Sequence, residues 1–229
     1  MRKALALALF TAATALSQPV LAQEAGTVQV KVLATAVLPD GKVKSIDGGT
    51  LATTVAGLGV QTEANDNYVP TLAIEYFATP NVSIETICCT TAHHVSANAP
   101  SALNGAVLAD KVLIVPATFT LKYHFGAPGG IRPYIGAGPS YFIFLKDQAG
   151  AGATSALGAT HVHIDDTLGA AVQAGVDVPV NATMSLSLDA KKYLIRPDAH
   201  FYDAGGTEVL LTHHKLDPLV LSAGVGFKF

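Results

Sequence analysis

Val112-Leu113-Ile114-Val115-Pro116-Ala117-Thr118-Phe119-Thr120-Leu121-Lys122-Tyr123-His124-Phe125 is the stretch whose reading decides the fold. Leu113, Val115, Ala117, Phe119, Leu121, Tyr123 and Phe125 take every second place, and Thr118, Thr120, Lys122 and His124 stand between them. Side chains of an extended strand point alternately to opposite faces, so the segment has one apolar and one polar face. It holds no 3.6-residue apolar stripe, which excludes an amphipathic helix.

The same alternation runs outward in both directions. Thr27 to Leu38 sets Val28, Val30, Val32, Ala34 and Ala36 against Gln29, Lys31 and Thr35. Tyr68 to Tyr76, Asn81 to Thr90, Ile131 to Leu145, Thr167 to Val178, Ala182 to Ala190 and Leu216 to Phe229 repeat it, each with small or polar residues on its second face. With Val112 to Phe125 these are eight strands. Strands of about 10 to 14 residues suit a tilted membrane crossing.

Composition agrees. Half of the chain is hydrophobic and 14% is charged, where a soluble domain carries about a quarter charged residues. Lipid-facing strand faces hold no charge, which accounts for the shortfall. The net charge of -3 and the lack of a basic cluster exclude nucleic acid as a partner. Met1 to Ala22 reads as a cleavable signal peptide: Arg2 and Lys3, an apolar run from Ala4 to Leu16, then Val20-Leu21-Ala22 before the cut. The expected domains are therefore the signal, 1–22, and the barrel, 23–229. The adjacent Cys88 and Cys89 would point to opposite faces of a strand, so they read as two free thiols.

Connections alternate in length. Ala78 to Pro80, Gly126 to Gly130 and Pro179 to Asn181 are tight, and Pro39 to Asn67, His94 to Lys111, Lys146 to Asp166 and Lys191 to Lys215 are long. Short periplasmic turns and long extracellular loops are the pattern of an outer-membrane barrel. An even strand count closes the sheet and leaves no unpaired edge in lipid. Tyr76, Tyr123, Phe125, Phe227 and Phe229 mark the periplasmic aromatic girdle, Tyr68 and Tyr141 the outer one. The expected fold is thus all-β, an eight-stranded antiparallel transmembrane β-barrel placed in the cell outer membrane, with its lipids as partners.

Arg132-Pro133-Tyr134-Ile135-Gly136-Ala137-Gly138, with Tyr76-Phe77-Ala78-Thr79-Pro80-Asn81 before it and Leu216-Asp217-Pro218-Leu219 after it, resembles the OmpW family of eight-stranded outer-membrane proteins. The first of these stretches carries most of the resemblance. Ala34 to Pro39, Tyr76 to Glu85, Pro116 to Phe119 with Tyr123 to Gly126, Asp165 to Gly169 with Gly175 to Asp177, and Leu216 to Leu219 with Ser222 to Gly224 follow in order. Leu168 and Leu219 stand where the family commonly has Trp, and this chain contains no Trp. The resemblance implies a narrow barrel that passes small hydrophobic molecules.

Eight strands leave an interior just wide enough for side chains, so a wide aqueous pore is excluded. Parity assigns Lys31, Glu75, Glu85, Lys122, Arg132, Asp177 and Lys228 to the lower lumen, where buried charges of both signs must pair. This charged floor is either a rigid structural plug or a barrier that turns cargo sideways through the wall. Above it Leu33, Val37, Ile87, Ile114, Phe142 and Phe144 form an apolar funnel suited to small hydrophobic ligands. Inward Gly136, Gly138, Gly169 and Gly175 either leave room for a ligand or relieve crowding. A structural or adhesive barrel without transport is the alternative, and a fully packed lumen would favour it. No Ser-His-acid trio falls at matching heights on neighbouring strands, so no enzyme is expected, nor any cofactor.

Gly224, Phe227 and Phe229 match a terminal pattern read by the barrel assembly machinery during biogenesis. Parity also points His93, His161, His163 and His214 toward the lumen axis at its outer mouth. Two readings stand for them: solvated loop residues, or imidazoles that bind zinc or copper or charge together as pH falls.

Overall fold

The computed structural model describes residues 25–99, 104–145 and 148–229, so the stretch expected to be a signal peptide, 1–22, lies outside the described residues. Its elements are β1 (Val28–Leu38), β2 (Gly41–Gly48), α1 (Ala52–Gly57), β3 (Gln61–Ala64), β4 (Asn67–Phe77), β5 (Val82–Cys88), β6 (Thr91–Asn98), β7 (Val107–His124) and β8 (Arg132–Leu145). Then come β9 (Gln148–Ala149), α2 (Ala151–Leu157), β10 (His161–Ile164), β11 (Thr167–Pro179), β12 (Met184–Leu194), β13 (Asp198–Tyr202), β14 (Glu208–Leu216) and β15 (Leu219–Lys228).

Eight antiparallel walls close on themselves in the order β1, β4, β5, β7, β8, β11, β12, β15 and back to β1. The seam closes to the last residue: Phe229 N donates to Val28 O at 2.8 Å, and Val28 N returns a bond to Phe229 O at 3.2 Å. Every strand of the ring pairs with a neighbour on both sides over at least part of its length, as a wall in lipid requires. The eight strands are those read from alternation, and the short turns sit where Pro, Gly and Asn were seen. In the β11–β12 turn Asn181 Oδ1 accepts from the backbone of Thr183 and Met184.

Burial follows the alternation and gives it a sense. Val32, Ile74, Ile84, Phe119, Leu121, Ile135 and Leu188 are exposed, while Lys31, Glu75, Glu85, Thr120 and Lys122 are buried. Apolar outside and charged inside is the reverse of a water-soluble globule and fits a bilayer. Tyr68, Tyr76, Tyr123, Phe125, Tyr141, Phe227 and Phe229 all lie exposed on the outer face, as two girdles require.

The long connections are more structured than loops. β2, β14, β13 and β10 form a second, four-stranded sheet above the barrel. β3, β6 and β9 extend the wall beside the tall β7. These pieces and the two short helices enclose an apolar core of Val55, Val60, Ala97, Ala153, Val162, Phe201 and Leu210. The reading of Pro39 to Asn67 and Lys191 to Lys215 as plain loops is therefore corrected: together they build a folded cap. β2 pairs with β14 far along the chain, and no local period announces such a partner.

A candidate lumen site: charged floor and apolar chamber

Parity on eight strands aims the charged side chains at one axis, and a narrow barrel brings them into contact. Lys31 Nζ lies 2.8 Å from Glu75 Oε2, 3.1 Å from Asp177 Oδ1 and 3.6 Å from Glu85 Oε2. Lys122 Nζ lies 2.9 Å from Glu75 Oε1 and 2.8 Å from Glu85 Oε2. Ser83 and His124 also bond Glu75, and Ser187 bonds Asp177. Arg132 is buried beside this net and donates to Pro80 O at 2.5 Å. Lys228 stays half-buried outside it. Five of the seven expected floor residues thus form one ion-pair net, with Arg132 adjoining and Lys228 set apart.

The net also holds Lys191, Asp189, Tyr134 and His124, beyond the seven residues that parity assigns to it. Lys191 Nζ lies 2.9 Å from Glu85 and 2.8 Å from Asp189. Tyr134 donates to Asp189 at 2.8 Å, and its ring lies 3.8 Å from the Lys122 ammonium. His124 and Asp189 stood on polar faces and carried the same signal as their neighbours. Lys191 fell in the stretch assigned to a loop. Glu75, His124 and Asp177 bring three possible metal donors together. Lys31 and Lys122 already neutralise Glu75, and Lys31 also meets Asp177, so a cation does not fit there.

Two of the four inward glycines, Gly136 and Gly175, serve this floor, while a Cβ on Gly138 would meet the Phe119 backbone and one on Gly169 would meet Ile195. A Cβ on Gly175 would lie 2.4 Å from the Tyr134 ring, and one on Gly136 would lie 2.9 Å from Lys122 Cγ. The space these two leave is filled by floor side chains, which is relief of crowding and not room for a ligand.

Above the floor lies a cavity of about 140 Å³ with an almost wholly apolar lining. Leu33, Val37, Ile87, Ile114, Phe142 and Phe144 all line it. Tyr193, Ile195, Phe201 and Val220 join them, and Tyr193 meets Phe142 edge-on at 5.2 Å. The first three come from the stretch read as a loop, so alternation there went uncounted. Lys191, Thr35 and Ser222 lie at the cavity's lower lining, Phe201 and His214 at the cap.

The wall beside this chamber is interrupted. The β4–β5 ladder ends at Leu72↔Cys88, and the upper half of β4 pairs with β1 alone. The β5–β7 ladder ends at Ile87↔Thr118 and resumes with β6 at Thr91↔Ile114, in the same register. Cys89 and Thr90 therefore run without a ladder partner on either side, and Cys88 keeps one on the β4 side alone. Carried across the gap, the registers place Pro70 beside Thr90 and Pro116 beside Cys89. Proline has no N–H to donate, so neither site can complete the ladder. Both cysteines are free thiols: Cys88 is exposed on the outer face and Cys89 lines the cavity.

The four mouth histidines do not meet. His93 is buried and bonds Thr91 and Asn65 O. His214 lines the cavity and bonds Thr212 at 2.8 Å. His161 and His163 are exposed, while Val162 between them packs into the cap. The expected inward direction of these two is corrected. Parity persists only along an unbroken strand, and Asp165-Asp166 separates β10 from β11 and shifts it by one.

Gly224 stands opposite Leu33 on the seam, and Phe227 and Phe229 present their rings outward, so the three terminal residues share β15 or its end.

Comparison with known proteins places this geometry. The sequence model described as "OmpW family" matches residues 24–229. An uncharacterized outer-membrane protein, y4mB, of Sinorhizobium fredii is 32% identical over 76% of this chain and 78% of its own length. The dibenzothiophene metabolism operon protein PahQ of Pseudomonas aeruginosa is 32% identical over 52% of each chain. The crystal structure of the outer membrane protein OprG from Pseudomonas aeruginosa superposes with a TM-score of 0.78, over 91% of this chain and 98% of that one, at 21% identity.

Proposed function

The chain belongs to the OmpW family of the outer membrane, and from that premise we propose that its barrel gives small hydrophobic molecules a passive passage. The observation that carries this reading is the apolar chamber above a floor closed by charge. An apolar cavity of about 150 Å³ admits a benzene-sized ligand, and this one has about 140 Å³. The name of the relative PahQ ties that protein to dibenzothiophene metabolism, and an apolar aromatic is the class of cargo proposed here.

The floor directs the route. Going straight down would break buried ion pairs, each disruption costing about 3–5 kcal/mol. The unladdered wall at Cys89 and Thr90 offers an exit into the outer-leaflet side of the bilayer instead. A structural or adhesive barrel would be supported by a packed upper lumen, and the chamber argues against it.

The test is uptake by cells lacking other copies of the family. The barrel should speed entry of a small aromatic hydrocarbon and leave sugar and amino-acid permeability unchanged. Phe142→Asp or Ile114→Asp should suppress the gain while the protein keeps its heat-modifiable migration. Equal uptake by folded variants and wild type would reject the passage.

A further inference from the structure

On the outward face of the cap, two histidines from separate connections stand side by side. His163 on β10 and His200 on β13 are register partners, with ring centroids 6.5 Å apart. Asp165 bridges them: Oδ1 lies 3.4 Å from His163 Nε2, and Oδ2 lies 3.4 Å from His200 Nε2. Behind His200, Glu208 Oε2 lies 2.7 Å from Nδ1. Tyr202 stacks on the same ring at 6.2 Å with planes 10° apart.

Each contact has a consequence. A carboxylate accepts hydrogen bonds, so Glu208 holds a proton on His200 Nδ1 and leaves Nε2, the nitrogen that faces Asp165, as the atom a metal ion would take in place of a proton. A carboxylate behind an imidazole is the arrangement that orients and strengthens metal-ligating histidines. Ligands about 2.1 Å from a tetrahedral zinc ion are about 3.4 Å from one another, and each ring keeps that spacing from one of the two Asp165 oxygens, His163 from Oδ1 and His200 from Oδ2. His163, with 61% of its side chain exposed, shares one face of the cap with its register partner His200.

We propose that His163, Asp165 and His200 bind one divalent ion of the zinc or copper class, with Glu208 orienting His200 from behind. Two imidazoles and a carboxylate match the donor preference of zinc, and water fills the fourth place. The ion would staple β10 to β13, and so fix the connection before β11 to the hairpin before β15. The lumen and its cargo take no part in this site.

The experiment titrates zinc chloride into the purified full-length barrel in detergent, followed by calorimetry and by the histidine NMR resonances. One site of micromolar affinity is expected, with shifts confined to His163 and His200. His163→Ala and His200→Ala should each abolish it. Glu208→Gln should weaken it by about 10–100-fold. His161→Ala should leave it unchanged, because His161 bonds Thr160 and belongs to a different register pair. Heat-modifiable migration of every variant shows that the barrel is folded. No binding by the wild type, or binding that survives both histidine substitutions, overturns the proposal. Loss of binding with His161→Ala would move the site and overturn it equally.

Discussion

Glu85 accepts from two ammonium groups, at 2.8 Å from Lys122 and 2.9 Å from Lys191, and forms an ion pair with a third, Lys31, at 3.6 Å. Glu85→Ala would leave those cations buried with one carboxylate fewer, and removing one partner of a buried pair costs about 3–5 kcal/mol. Urea unfolding of the refolded barrel in lipid vesicles should show that loss, while Lys44→Ala, on an exposed position, should stay within about 0.5 kcal/mol of wild type. The cysteines provide a second measurement. An apolar maleimide should label Cys89 from the chamber, and an aromatic cargo should slow that labelling, because the thiol lines the cavity. Cys88 faces outward, and its labelling should not respond to cargo. Protection of Cys88 alone would place the cargo outside the barrel. At this scale the sequence told inward from outward nearly everywhere in the membrane, because one residue of slip would put a charge into lipid. It could not pair the charges, since Lys31 and Asp177 meet only when the sheet closes.

Among the elements, β15 has the most to lose from one residue. Phe229 makes both terminal hydrogen bonds of the seam with Val28 and is 80% exposed toward the membrane face. Deleting it should leave unfolded protein in the periplasm, read as loss of the heat-modifiable band. Normal amounts of that band would mean that neither the seam bonds nor the ring is needed for assembly. The β13–β14 turn supplies the topological test. Ala204, Gly205 and Gly206 form an exposed tip, with Gly206 at a φ of +81°. Protease added to intact cells should cut there and spare Gly126 to Gly130; cutting at the latter would invert the barrel. The element that sequence reading divided wrongly was β12, whose apolar alternation continues past Lys191 through Tyr193 to Leu194. Two lysines at Lys191 and Lys192 looked like a strand end, but one of them points inward to Glu85.

The whole molecule is two stacked bodies, a barrel tied by charge and a cap tied by apolar packing, with the chamber between them. The cap is the part that pH should loosen. Burial pushes the His214 imidazole down to about 4, from an ordinary value near 6.5, and His213 acts in the same direction while Asp198 opposes. A histidine with a lowered folded pKa stabilises the cap fully above about pH 6.5. As pH falls toward 4 the unfolded state takes up the proton first, and about 3 kcal/mol is lost. Hydrogen exchange should therefore rise in β2 and β14 between pH 6.5 and 4 while the barrel strands stay protected. His214→Phe should flatten that profile. His200 works in the opposite sense: Glu208 and Asp165 outweigh its burial and raise its pKa, so its contribution is retained as pH falls.

The sequence by itself determined the eight crossings, their direction, the closed ring, the two girdles and the six apolar residues of the chamber. All of these follow from a period of two and from the cost of charge in lipid, which act residue by residue. The tertiary structure decided the pairings in the floor, the addition of His124, Asp189 and Lys191 to it, and the ladder break between Pro70 and Pro116. It also decided the cap, and with it the outward turn of His161 and His163. Those features depend on contacts between segments far apart in the chain, such as β2 with β14, and on breaks that reset parity. A local pattern carries no record of either, because the partner that completes each one becomes a neighbour only when the sheet has closed.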